Sequence, residues 1–158
     1  MAQLTTDNRR LTTAFPMWAN NETGVLFPVE RIAEICQSRG VLYHCDAVQA
    51  AGKVEIDVRK IPADYLSLTG HKFHAPKGIG ALYIRRKSPF SPLVYGGHQE
   101  RNRRGGTESV PLTVGMGKAA QLARKHLPGY EKCVATHPAF CSTTVRGGRS
   151  RQGETWPS

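Results

Sequence analysis

At 158 residues the chain has the length of one ordinary domain, long enough to bury a real core. Its 39% hydrophobic and 22% charged content is that of a soluble globular protein, and no apolar run nears the roughly 20 residues of a membrane span. A net charge of +10 leaves nucleic acid, an anionic cofactor or no partner at all open as readings of the basic excess.

In chain order, RLTTAFPMWANNETG begins as a β segment, is broken at Pro16 and ends in a polar turn. PVERIAEICQSRG (28–40) predicts a helix: Pro28 suits the first turn, Ile32, Ile35 and Cys36 form an apolar stripe, and Gly40 suits the stop. VLYHCDAV (41–48) follows as a short buried strand, as in a βαβ unit. The alternating residues 53–58 predict a strand, Pro62 a break, and residues 64–69 a further strand. GIGALYIRR (78–86) is the next strand, reached by a tight Gly-rich connection. A long Pro/Gly/Arg loop then leads to a helix over 110–127.

From Pro128 onward the composition turns rich in Gly, Pro, Ser, Thr and Arg without periodicity. The expected division is a folded α/β part over 1–127 and a disordered tail over 128–158. The first residues, MAQLTTDNRR, lack the apolar core of a secretory signal, so the cytoplasm is the expected compartment. Basic residues cluster at YIRRK, ERNRRGG and RGGRSR, but no aromatics interleave them, which weakens a base-stacking role. Cys36, Cys45, Cys133 and Cys141 show neither a CxxC pair nor zinc-ligand spacing, so no metal site and no disulfide framework is expected. GKVEI is not a phosphate loop, because the preceding glycine and following Ser/Thr are missing.

Binding sites in open α/β sheets form beyond the carboxyl ends of strands. Three such ends carry polar residues: WANNETG, HCDAVQ and LTGHK. If the strands are neighbours, Asn21, Asp46, Gln49, Thr69, His71 and Lys72 converge on one rim. That set has the chemistry of a pyridoxal-phosphate site, which needs an amine, a carboxylate for the pyridine nitrogen, and donors for the ring hydroxyl and phosphate. Lys72 can supply the amine, Asp46 the carboxylate, Gln49 the hydroxyl contact, and Thr69 with His71 the phosphate contacts. Taken singly each residue has an ordinary structural explanation; the joint pattern is the argument.

MWANNETG, HCDAVQAAGKVEIDV, LSLTGHKFHAPKGIGALYIRR, GGHQERNRRGGTESVP and VGMGKAA resemble, in order, successive blocks of NifS/IscS-type cysteine desulfurases. These are class V members of the fold-type-I pyridoxal-phosphate aminotransferase superfamily. The resemblance spans residues 10 to 125, and HAPKG with GGHQERNRRGGTE leans toward the NifS branch. It implies part of a fold-type-I large domain, α/β, with a mostly parallel sheet flanked by helices. It also implies that Lys72 is the Schiff-base lysine and that His71 and Thr69 bind phosphate. Asp46 would pair with the pyridine nitrogen, Gln49 with the ring hydroxyl, and Asn21 would lie near the hydroxyl and the substrate carboxylate. Thr107 would reach the phosphate bound in the other subunit of a homodimer, which gives the basic loop a role without nucleic acid. The implied reaction converts L-cysteine to alanine and an enzyme persulfide, whose sulfur passes to an iron–sulfur scaffold protein, in the NifS branch for nitrogen fixation.

The family's upstream phosphate loop and ring-stacking histidine, and its downstream cysteine loop and carboxylate-binding arginine, have no counterpart here. The expectation is therefore a central piece of the enzyme, inactive alone, with unpaired strand edges and an exposed apolar face. Cys36, Cys45 and Cys141 do not suit the persulfide role: Cys36 lies on the helix stripe, Cys45 points opposite to Asp46, and Cys141 lies too close to Lys72. Two other readings stand beside this one: selenocysteine lyase or another class V enzyme, and a basic RGG-type nucleic-acid or interaction module.

Overall fold

A computed structural model describes residues 13–136, with side chains through 129. Its strands are β1 (Thr13–Ala14), β2 (Leu42–Asp46), β3 (Tyr65–Thr69) and β4 (Gly80–Ile84). Helix α1 (Val29–Ser38) joins β1 to β2, a 3-10 turn (Gly70–Phe73) follows β3, and α2 (Gln99–Asn102) and α3 (Val110–Thr136) follow β4. The sheet order is β1-β2-β3-β4, with β1, β2 and β3 parallel and β4 antiparallel to β3. The mostly parallel α/β sheet expected from the sequence is present.

Helix α1 buries Val29, Ala33 and Cys36, one turn apart along a single stripe. Ala33 is fully buried, and its small side chain lets the helix lie close on the sheet. The expected stripe is corrected at Ile35, which is 44% exposed, because it sits one helical step away from the buried line. Gly40 adopts φ 63°, a left-handed stop that turns the chain into β2.

The strand expected over 53–58 is absent. Val54, Ile56 and Val58 still pack against the core, but their backbone pairs with no strand. β2 and β3 are each already paired on both sides, so this segment has no ladder to join beside them. Alternating side chains here reflect an extended strap over the core. The helix expected to end at 127 instead continues through Pro128 to Thr136. Pro128 removes one backbone donor, yet Glu131, Lys132 and Ala135 beyond it are good helix formers. Residues 137–158, and with them Cys141 and the RGGRSR run, lie outside the described residues.

One face of the sheet carries the core. Tyr43 and Cys45 of β2 and Leu66 of β3 meet α1 there, and Ala47, Ala50 and Ile61 close the cluster. A second cluster joins Phe73 and Ala75 to Ala119 of α3, and Leu68 and Ile56 pack against both. The opposite face is open: Leu82 is 45% exposed and Phe15, just after β1, 69%. Phe15 meets the His44 ring edge-on at 5.4 Å, and His44 meets Tyr65 at 6.1 Å.

This aromatic packing has a pH consequence. Burial pushes the His44 imidazole below its ordinary value, against an opposing pull from the Asp46 carboxylate. The folded state therefore favours the neutral ring, and the unfolded chain takes up the proton first as pH falls below about 6.5. Stability present above that value is lost as pH drops through the lower folded value. Denaturant midpoints measured at pH 7.5 and pH 5 should converge in His44→Phe relative to the wild type; an unchanged gap would refute the assignment to His44.

Candidate functional site

Because β1, β2 and β3 run parallel, their carboxyl ends share one edge of the sheet. The segment after β1 is stitched to the end of β2. The Asp46 N–H donates to the Pro16 carbonyl at 3.1 Å, and the Trp18 N–H donates to the Asp46 carbonyl at 2.8 Å. Beyond it the chain turns at residues 21–23. The side chain of Asn20 shapes that turn: its Oδ1 accepts from the Glu22 and Thr23 N–H groups, both at 2.9 Å, and from the Thr23 hydroxyl at 3.1 Å. Of the two asparagines, Asn20 is thus committed to the backbone, and Asn21 stands exposed at the turn.

Asp46 ends β2 with its side chain on the open face. Its Oδ1 accepts from the Val48 N–H at 3.0 Å, starting a tight turn; among the described residues no side chain occupies Oδ2. The turn continues with the Ala51 N–H donating to the Ala47 carbonyl at 3.0 Å. Ala47 and Ala50 face the core, which leaves Gln49 half-buried on the outer side. The Lys53 ammonium donates to the Gln49 carbonyl at 3.0 Å. Burial pushes the Lys53 ammonium below its ordinary value, and the charge of Lys72 pushes it the same way.

Past β3 the chain folds into the 3-10 turn. Gly70 is required there: a Cβ would come within 2.9 Å of the Ala75 Cβ and 3.0 Å of Ile79 Cγ2. Phe73 and Ala75 turn inward as anchors, while His71 and Lys72 face solvent. His74, at φ 68°, reverses the chain toward β4. The Thr69 hydroxyl and His71 Nδ1 share a hydrogen bond of 3.1 Å. Among the described residues Lys72 forms no ion pair and no side-chain hydrogen bond.

Asp46, Gln49, Thr69, His71 and Lys72 therefore stand on one rim, and Asn21 lies at the end of the segment paired to Asp46. Thr107 does not join them within this chain. It is exposed on the loop before α3, and among the described residues it bonds none of the rim residues. That loop is held by the Gly105 N–H on the Val94 carbonyl at 2.8 Å and the Gly106 N–H on Gln99 Oε1 at 3.3 Å. Its arginines are exposed. Cys36 and Cys45 are both buried on the core side, and burial raises both thiols above their ordinary value. Sequence reasoning missed Lys53. The available signal was a lysine four residues after Gln49, the spacing at which a side chain reaches back to a carbonyl.

Chemically, the rim offers a primary amine, a carboxylate with one oxygen free, an amide and a hydroxyl–imidazole pair. Such a set can bind an aldehyde that carries a basic ring nitrogen and an anionic group. Among the described residues no group of three His, Cys, Asp or Glu side chains could hold a metal ion. No helix among them is long and apolar enough to cross a membrane.

A family model described as aminotransferase class-V matches residues 3–134. A cysteine desulfurase of Gluconacetobacter diazotrophicus is 58% identical over 118 residues, covering 75% of this chain and 30% of the relative. A solved structure titled NifS-like protein superposes with a TM-score of 0.77 at 40% identity, covering 82% of this chain and 36% of that one. Another, titled SspA in complex with cysteine, gives 0.67 at 43% identity over 69% of this chain and 32% of that one. The chain thus spans about a third of the length of the proteins it matches.

Proposed function

The chain belongs to the aminotransferase class-V family, and from that premise we propose that it forms the cofactor-binding centre of a pyridoxal-phosphate enzyme that takes sulfur from L-cysteine. The observation that supports this reading is the rim itself: parallel β2 and β3 end at one edge of the sheet, β2 leading into Asp46 and Gln49 and β3 into the Thr69–His71 pair and Lys72. The donor set fits pyridoxal phosphate in chemistry. The similarity to cysteine desulfurases narrows the substrate, and one similar structure holds cysteine.

When bound, pyridoxal phosphate supplies an electron sink that labilises bonds at the substrate's alpha carbon. Lys72 would hold the cofactor through its amine, and the same amine would move a proton at that carbon. Asp46, through its free oxygen, keeps the pyridine nitrogen protonated. Gln49 contacts the ring hydroxyl, Thr69 and His71 hold the phosphate, and Asn21 lies toward the hydroxyl and the substrate carboxylate. In the overall reaction the carbon–sulfur bond of L-cysteine breaks and a sulfur–sulfur bond forms on an acceptor cysteine thiolate. The carbon that held sulfur receives a proton, and alanine leaves. Cys36 and Cys45 are unsuited as acceptors, because both are buried away from the rim with thiols held protonated. The same reading makes the enzyme a cytoplasmic homodimer in which Thr107 serves the partner's phosphate site and an iron–sulfur scaffold protein receives the sulfur.

Two measurements test the proposal. Purified chain mixed with pyridoxal phosphate and reduced with borohydride should carry one cofactor adduct, mapped by mass spectrometry to Lys72. Residues 13–127, grafted into the Gluconacetobacter relative in place of the matching segment, should sustain alanine release from L-cysteine. A graft that releases alanine only from L-selenocysteine would shift the substrate, and no adduct on Lys72 would remove the cofactor reading altogether.

A further inference from the structure

Lys53 is half-buried, and its ammonium is spent on one visible partner, the Gln49 carbonyl at 3.0 Å. A methionine would fill the same volume without the cost of desolvating a charge. The carbonyl it caps belongs to the turn that opens on Asp46 Oδ1 and presents Gln49 at the rim. Within that turn the Ala47 and Ala50 carbonyls accept the backbone bonds, from the N–H groups of Ala50, Ala51, Lys53 and Val54, and the Gln49 carbonyl takes none of them. Burial lowers the Lys53 ammonium first, and the charge of Lys72 pushes it the same way. It is thus tied to the β2 turn by a hydrogen bond and senses the β3 turn through the charge of Lys72.

We infer that Lys53 is a positioning residue: by capping the Gln49 carbonyl it fixes where Gln49 and Asp46 stand relative to Lys72. The inference rests on the cofactor reading above and adds to it a residue that does not touch the cofactor. Its charge also has a use that an apolar cap lacks, because a cation satisfies a carbonyl at the end of a helical turn.

The test compares wild type, Lys53→Met and Lys53→Arg in the full chain, with two readouts. Without cofactor, Lys53→Met should speed amide hydrogen exchange at residues 50–54, while Lys53→Arg leaves it near wild type. With pyridoxal phosphate, Lys53→Met should need about tenfold more cofactor for half-maximal adduct on Lys72, the scale of one lost charge-assisted hydrogen bond. Its bound-cofactor absorption maximum should also shift, since Gln49 contacts the ring hydroxyl, and Lys53→Arg should restore both. Wild-type affinity and absorption in a folded Lys53→Met would overturn the inference while leaving the cofactor reading standing. No adduct in the wild type itself would overturn both. Should Lys53→Met fail to fold, Lys53→Gln decides: affinity weaker than that of Lys53→Arg supports the inference, and equal affinity overturns it.

Discussion

Lys72→Ala should abolish covalent attachment of pyridoxal phosphate, leaving no borohydride-stable adduct on the chain at any cofactor concentration. Lys72 is exposed, and among the described residues no hydrogen bond or ion pair depends on it, so the variant should fold as the wild type does. Lys72→Arg is the sharper form of the experiment. It keeps the positive charge, but a guanidinium stays protonated at neutral pH and cannot condense with an aldehyde. If Lys72 acts only as a surface cation, arginine preserves cofactor binding; if it acts as a nucleophile, arginine fails as completely as alanine. Thr69→Ala should weaken binding while leaving the adduct site unchanged, because it removes one phosphate donor and the partner of His71. An adduct that maps to Lys53 in the wild type, and persists there in the Lys72 variants, would show that the amine was misassigned.

The second large effect is on the scaffold. Gly80 pairs with Thr69 across the β3–β4 ladder. A Cβ at Gly80 would lie 2.6 Å from the Leu68 carbonyl oxygen, a backbone atom that cannot swing aside. Gly80→Ala should therefore open the end of the ladder and cost about 1–3 kcal/mol, a large share of a typical domain's stability. The loss would fall where Thr69 enters the rim, so Lys72 adduct formation should weaken along with the denaturation midpoint. Gly117 provides the control. It lies in α3 with nothing within 4 Å of its added Cβ, so Gly117→Ala should be neutral or stabilising by up to about 1 kcal/mol. Equal effects at the two positions would refute the steric account.

The rim was readable in the sequence because each of its residues follows a strand whose apolar content identified it. The antiparallel return of β4 was not legible in the same way: a tight Gly-rich connection was expected, and residues 70–79 instead hold a 3-10 turn before β4 begins at Gly80. What failed did so for identifiable reasons. Residues 53–58 alternate as a strand does, yet a strap whose alternate side chains enter the core produces the same period without any ladder. Ile35 is apolar and in register with a helix, but the buried line through Val29, Ala33 and Cys36 leaves it to one side. Proline at 128 ordinarily marks a helix end, and α3 crosses it. Lys53 and Asn20 escaped notice because their work is done on backbone groups, which a string of side chains does not display.

The antiparallel return of β4 also sets an order in time. Residues 69 and 80 pair across a short loop, whereas 44 must find 65, and 13 must find 42, over longer stretches of chain. Closing the shorter loop costs less entropy, so the turn that holds Lys72 can form before the sheet is complete. The amine would then be in place early, and the carboxylate of Asp46 would reach it only when β2 docks. On such a path the rim is assembled from two pieces that mature separately, and a ligand that bridges them would lock the docking step.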